Sequence, residues 1–145
     1  MDKILVTGGL GFIGSHTVVE LQKEGFEVVI IDDLSNSSMD ILDRITSITG
    51  VKPLFEEIDL KEKNKVETFF KKHSDLKGVI HFAASKAVGE SVQLPLKYYE
   101  NNISTLVYML KELEKLETAN FIFSSSCTVY GQADELPITE HAPVK

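Results

Sequence analysis

Lys3 to Gly14 reads KILVTGGLGFIG, and this stretch decides the fold. Ile4, Leu5 and Val6 form a short continuous apolar run, the pattern of a strand buried on both faces. Gly8, Gly9, Gly11 and Gly14 come after it, and Ser15-His16-Thr17-Val18-Val19-Glu20-Leu21 continues as a helix. A strand, a glycine turn and a helix start are thus expected within fourteen residues. A helix N-terminus offers free N–H groups and the positive end of a dipole, and glycines let backbone approach an anion closely. The spacing, Gly8-x-x-Gly11-x-x-Gly14, is one residue longer at the front than the GxGxxG fingerprint.

A glycine cluster alone is also what any tight turn requires. Its place between strand and helix, and the residues beyond that helix, argue for a dinucleotide. A second apolar strand, Val28-Val29-Ile30-Ile31, ends in Asp32, 18 residues beyond Gly14. There a carboxylate meets an adenosine ribose in dinucleotide-binding folds. Asp33 stands beside it with no arginine nearby, which disfavours a cofactor carrying a 2′-phosphate and selects NAD over NADP.

Composition narrows the partners. The chain has 145 residues, of which 43% are hydrophobic, enough for one core and one domain. The net charge is −7, the isoelectric point about 5.1, and Arg44 is the single arginine. That balance argues against nucleic acid or an anionic membrane as partner, since both need a basic face. No apolar run reaches membrane-spanning length, and a first strand beginning at residue 3 leaves no room for a signal peptide. Lone Cys127 has no disulfide partner in the chain, and no Cys/His cluster has metal-ligand spacing. A soluble cytoplasmic protein without structural metal is the expectation.

Along the chain, Ile13, Thr17 and Leu21 predict an apolar stripe on the first helix, which Gly25 stops. Glu27 to Ile31 is the second strand. The polar loop Leu34 to Ser38 suits an N-cap before a helix from about Met39 to Thr49, ended by Gly50. Pro53 to Ile58 reads as a third strand leading to Asp59 and Leu60. Glu62 to His73 is a helix with Val66, Phe69 and Phe70 on its apolar side. Val79 to Phe82 is a fourth strand running into Ala83-Ala84-Ser85-Lys86. Pro95 opens a long helix, with Ile103, Leu106, Leu110 and Leu113 at helical spacing and Leu116 near its end. Asn120 to Phe123 is a fifth strand, followed by Ser124 to Thr128; from Gly131 the chain is acidic and loop-like. His16 and His81 read as packed or capping residues, and Cys127 as a small buried filler.

Strands alternating with helices imply an α/β fold, a Rossmann-type doubly wound parallel sheet of about five strands with right-handed crossovers. In such a sheet ligands bind beyond the carboxyl ends of the strands. The glycine turn, Asp32 to Ser37, Asp59 and Leu60, Ala83 to Lys86, and Ser124 to Thr128 all come directly after strands, and so should gather there.

TGGLGFIGSH, IIDDLSNSS, HFAASKAVGES, YYENN and FSSSCTVYG occur in that order. Together they resemble the extended short-chain dehydrogenase/reductases, and within that family most the UDP-glucose 4-epimerase (UDP-galactose 4-epimerase) branch. The resemblance covers essentially the whole chain. TGGxGFIG is shared by many nucleotide-sugar enzymes, whereas DLSNS and KAVGES are more particular to the 4-epimerases.

The resemblance implies roles position by position. Gly8, Gly11, Phe12, Ile13 and Gly14 would cradle the NAD pyrophosphate, Phe12 and Ile13 through backbone N–H groups. Asp32 would take the adenosine ribose hydroxyls, with Asp33, Leu34, Ser35, Asn36 and Ser37 lining the adenosine end. Asp59 would take the adenine amino group while Leu60 covers a ring face. Phe82, Ala83, Ala84, Ser85 and Lys86 would run beside the nicotinamide half. Lys86 would also reach the substrate, and Asn101 the cofactor. Ser126 would be the catalytic and substrate-binding hydroxyl on the reacting sugar. Asn101 and Asn102, being adjacent, point different ways, and one of Ser124 to Ser126 would only satisfy backbone groups.

The implied reaction inverts C4 of UDP-glucose and UDP-galactose. Hydride leaves C4 for NAD while a base takes the hydroxyl proton, and the 4-keto sugar receives the hydride back on its other face. The family base is the tyrosine of a Tyr-x-x-x-Lys pair. Here Tyr98, Tyr99, Tyr108 and Tyr130 are followed four residues on by Asn102, Ile103, Glu112 and Asp134. The chain therefore reads as the N-terminal NAD-binding portion, residues 1–145, of an enzyme whose base and substrate domain lie further on. It is expected to be inactive alone and homodimeric as the full-length enzyme. The alternatives are another nucleotide-sugar epimerase or dehydratase, and a non-catalytic NAD-binding module. A dehydratase would carry an acidic pair just after Ser126, where Cys127-Thr128-Val129 stands.

Overall fold

The computed structural model describes residues 1–116, 120–132 and 135–144, with the side chain of Cys127 outside the description. The buried-filler reading of Cys127 thus lies outside it. Five strands form one parallel sheet: β1 (Lys3–Thr7), β2 (Glu27–Asp32), β3 (Leu54–Glu57), β4 (Leu76–His81) and β5 (Asn120–Phe123). Their order is β3-β2-β1-β4-β5, and every pairing is parallel. The chain starts at the centre, winds outward to β3, then crosses back to β4 and β5. The switch in direction falls between β1 and β4, where this fold class opens a crevice.

Side-chain alternation explains why the central strands read as unbroken apolar runs. Val28 and Ile30 of β2 join Val6, Leu10, Val18, Val19, Leu42 and Ile45 on one face. Val29 and Ile31 join Leu5, Val66, Phe69, Phe70, Val79, Met109 and Leu113 on the other. Successive strand residues point to opposite faces, and both faces are covered. The first face is roofed by α1 (Phe12–Lys23) packed on α2 (Asp40–Thr49), the second by α3 (Lys63–Lys72) on α6 (Thr105–Leu113).

Several boundaries differ from the expectation. α1 begins at Phe12, and its buried residues are Gly14, Val18 and Val19. Ile13 is half-exposed, so the packed face is rotated from the Ile13–Thr17–Leu21 stripe. The cause is Gly14: without a side chain it rests on the backbone of Gly8 and Gly9, and this contact sets which face of α1 meets the sheet. α2 starts at Asp40 with Met39 at its N-cap and no side-chain cap there. The Ser38 hydroxyl oxygen accepts the Asp40 N–H at 3.3 Å, and its carbonyl accepts the Ile41 N–H at 3.1 Å.

The long helix expected from Pro95 is built in three parts. α5 (Pro95–Tyr99) passes into a π turn, Glu100–Ser104, and then into α6. Ahead of it lies α4 (Val88–Gln93), a short helix that the sequence does not announce; it buries no residue. Thr105, Met109, Glu112 and Leu113 are the buried positions of α6, while Ile103 and Leu110 of the expected stripe are 50% and 40% exposed. Leu106 and Leu113 of that stripe do pack on the core, so the packed face is the expected one rotated toward Thr105, Met109 and Glu112.

β5 pairs with β4 along one edge. Ile122 and Phe123 of this edge strand are exposed. A 3-10 turn (Cys127–Tyr130) comes next. Among the described residues no helix is long and apolar enough to cross a membrane.

Candidate cofactor-binding site

At the carboxyl rim of the sheet lies a cleft of about 340 Å³. It is lined by the glycine turn (Gly8, Gly11, Phe12, Ile13, Gly14), by Asp32, Asp33, Ser35, Asn36 and Ser37, by Asp59 and Leu60, by Phe82 to Lys86, and by Asn101. Four strand ends and one helix thus converge on one concavity, as the order of elements along the chain requires.

Gly8 makes this convergence possible. Its φ is +65°, a β-carbon on it would fall 2.9 Å from the Ala83 backbone nitrogen, and its N–H donates to the Ile31 carbonyl at 2.8 Å. The turn therefore touches the ends of both β2 and β4, and only glycine combines that dihedral with that approach. Gly11 is the N-cap of α1 and supplies no side-chain cap. The first-turn amides of Phe12 and Ile13, which have no partner within the helix, border the cleft.

Asp32 is 8% exposed and braced by its own surroundings. One carboxylate oxygen accepts the Leu10 N–H at 3.0 Å. The other accepts the Leu34 N–H at 3.1 Å and the Ser37 hydroxyl at 2.7 Å. Asp33 in turn accepts the backbone N–H and hydroxyl of Ser35. The short side chains of this loop thus fix two carboxylates, the work they do in place of capping α2. Leu34 has a left-handed φ of 58°, unusual for a branched residue. It packs against the core face shared with Val28 and Leu42 and does not line the cleft.

Asp59 accepts the Lys61 N–H at 2.9 Å and pairs with the Lys61 ammonium at 3.3 Å; Leu60 is buried beside it. Lys86 is exposed and has no ion pair among the described residues. Asn101 donates to the Ser85 hydroxyl at 3.0 Å. Ser126 lies outside the cleft lining; its oxygen accepts the Thr128 N–H at 3.2 Å and bonds the Thr128 hydroxyl at 2.8 Å. It is the N-cap of the 3-10 turn.

Three lining residues are not predicted by the sequence motifs: Ile31, Ile58 and Thr105. Thr105 sits one helical turn after Asn101 and its hydroxyl donates to the Asn101 carbonyl; that i, i+4 spacing was the available signal. His16 is exposed and packs edge-on against Phe12, with ring centroids 5.2 Å apart. His81 is buried under the cleft, its Nδ1 2.6 Å from the Thr7 hydroxyl oxygen. Thr7 also accepts the Ala83 N–H at 3.3 Å, which leaves its own hydroxyl proton available to His81 Nδ1. Burial pushes the His81 pKa down to about 4, consistent with a neutral ring that accepts.

A glycine-lined helix N-terminus, a buried carboxylate at the end of the second strand and a 3-2-1-4-5 parallel sheet define a Rossmann-type nucleotide-binding domain. The comparisons make the class specific: residues 4–145 match the NAD dependent epimerase/dehydratase family, and the chain belongs to that family. The UDP-glucose 4-epimerase of Bacillus subtilis (strain 168) is 49% identical over 141 residues, covering 97% of this chain and 41% of that protein. The structure of UDP-glucose 4-epimerase from Bifidobacterium longum in complex with NAD+ and UDP matches with a TM-score of 0.92 and 43% identity, covering 99% of this chain and 43% of that one. The Stenotrophomonas maltophila UDP-glucose-4-epimerase, with bound NAD and a formylated UDP-arabinopyranose, matches with a TM-score of 0.91 and 41% identity, over 100% of this chain and 43% of that one. The chain thus spans about two fifths of the length of these relatives.

Proposed function

We propose that residues 1–145 are the NAD-binding domain of a UDP-glucose 4-epimerase that interconverts UDP-galactose and UDP-glucose. The observation that carries this is the single cleft uniting the glycine turn, Asp32, Asp59 and the Phe82–Lys86 segment. Its residues fit a dinucleotide. Gly8 brings the turn against the Ala83 backbone. The first-turn amides of Phe12 and Ile13, unpartnered within the helix, border the cleft as an anion would need, and a rigid carboxylate sits one strand away.

NAD held there supplies a reversible hydride acceptor. The chain's own groups do the holding. Phe12 and Ile13 amides meet the pyrophosphate, and Asp32, locked by Leu10, Leu34 and Ser37, takes the ribose hydroxyls. The paired charges of Asp32 and Asp33 repel a 2′-phosphate; Arg44, on α2, does not line the cleft. Asp59 and Leu60 bracket the adenine, while Phe82 to Lys86 and Asn101 bound the nicotinamide end. Lys86 and Ser126 are the residues assigned to the sugar. Ser126 would have to leave its capping bonds, or share its hydroxyl, to do so. The 145 residues contain no Tyr-x-x-x-Lys pair, so the base is assigned to the longer protein. A homodimeric full-length enzyme acting in the cytoplasm completes the reading, on the family resemblance.

Titration calorimetry of the chain with NAD and NADP tests the cofactor half. Saturable heat with NAD, and a much weaker response to NADP, is expected; no heat with NAD overturns the assignment. The same chain should not convert UDP-galactose, whereas a protein extended to the length of its relatives should. Conversion by the purified 145 residues alone would refute the division of labour.

A further inference from the structure

On an uninterrupted α-helix, neighbouring residues point about 100° apart, and only one of Asn101 and Asn102 could reach the strand-four loop. Both do. They lie in the π turn Glu100–Ser104, and both address Ser85. Asn101 donates to the Ser85 hydroxyl at 3.0 Å. Asn102 takes the backbone: its Oδ1 accepts the Ser85 N–H at 2.8 Å and its Nδ2 donates to the Ser85 carbonyl at 3.0 Å. The Asn102 Oδ1 also accepts from Asn101 at 3.0 Å, which ties the two amides together. The amide orientation of Asn102 is fixed by this arrangement, because reversing it would set donor against donor and acceptor against acceptor.

Ala83 to Lys86 belongs to neither a strand nor a helix, yet it forms one wall of the cleft. Its shape must be imposed from outside. Ala83 is held by Thr7, and two residues on Asn102 grips Ser85 as a neighbouring strand would. Asn101 borders the cleft, whereas Asn102 does not.

We propose that Asn102 is a positioning residue, which clamps the Ser85 backbone from the π turn and so shapes the nicotinamide end of the cofactor cleft. This rests on reading the cleft as an NAD site. Asn102 touches no part of the adenosine end, so its loss should be felt by the whole dinucleotide and not by its adenosine diphosphate half.

The test compares NAD with ADP as ligands for the wild-type chain, Asn102→Ala and the isosteric Asn102→Asp, by calorimetry, with far-ultraviolet circular dichroism and ligand-free thermal midpoints as fold controls. Asn102→Asp keeps the acceptor for the Ser85 N–H but sets an oxygen against the Ser85 carbonyl. Both variants should weaken NAD about tenfold, the effect of about one buried hydrogen-bond pair, while ADP affinity stays within about twofold. An unchanged NAD affinity, or equal losses for NAD and ADP in the variant that remains folded, overturns the clamp. Wild-type binding of ADP but not NAD overturns it too, and wild-type binding of neither removes the NAD reading itself.

Discussion

Gly14 lies so close to Gly8 that a β-carbon on Gly14 would fall 2.2 Å from the Gly8 carbonyl oxygen. The contact is backbone against backbone, so neither side can yield by turning a rotamer. It couples the angle of α1 to the position of the turn, and thereby the first-turn amides to the cleft.

Gly14→Ala is therefore expected to lift α1 off the sheet. The stability loss should be at least about 1–3 kcal/mol, the cost of ordinary overpacking, and NAD affinity should fall with it. Urea unfolding and calorimetry check this; an alanine variant with wild-type midpoint and affinity would contradict it.

Asp32→Asn is isosteric but has no acceptable orientation. One oxygen of Asp32 accepts the Leu10 N–H and the other the Leu34 N–H, so an amide NH2 meets a donor whichever way it turns. A loss of about 1–3 kcal/mol in stability is expected, with NAD weakened and the preference over NADP narrowed. Binding isotherms for both cofactors decide it, and unchanged selectivity would count against the ribose role.

His81 should make stability sensitive to pH above the carboxylate range. The unfolded chain takes up a proton near pH 6.5, while the folded chain refuses it until about 4, so stability falls as pH drops through that window. Between neutral pH and pH near 5 the loss should be about 2 kcal/mol. Denaturation midpoints at the two pH values, for wild type and His81→Gln, provide the check. The glutamine variant should show the smaller difference, and equal differences would exclude His81 as the cause.

The exposed apolar edge of β5 should make this chain self-associate. Sedimentation should show mass rising with concentration, and Ile122→Lys, at a residue 59% exposed, should suppress it. A monodisperse wild-type monomer over a wide concentration range would be the contrary result.

The sheet was legible because Val28 to Ile31 and their counterparts are covered on both faces, leaving a continuous apolar signal. The cleft was legible because parallel strands deliver their ends to one rim. The features that stayed hidden had no such signal. α4 buries nothing, so no periodicity betrays it. The packed face of α6 includes Thr105 and Glu112, which a hydrophobic count discards; Glu112 is tolerated there through the Lys115 ammonium, 2.7 Å from both its oxygens. The π turn adds one residue with no sequence mark, and with it went the direction of Asn102. The loop after β2 looked like a capping segment because serine and asparagine serve equally to cap a helix or to brace a carboxylate; only the partner distinguishes the two.

Because every strand runs the same way, the strands' amino ends gather at the rim opposite the cleft. The α1–β2 and α2–β3 connections lie there, at the strands' amino ends, and Gly25 and Gly50 within them have open space around them. A cysteine placed at the exposed Glu24 or Lys52 could carry a fluorophore or a surface tether. The domain could then be watched or immobilised by its back while its mouth remained open to nucleotide.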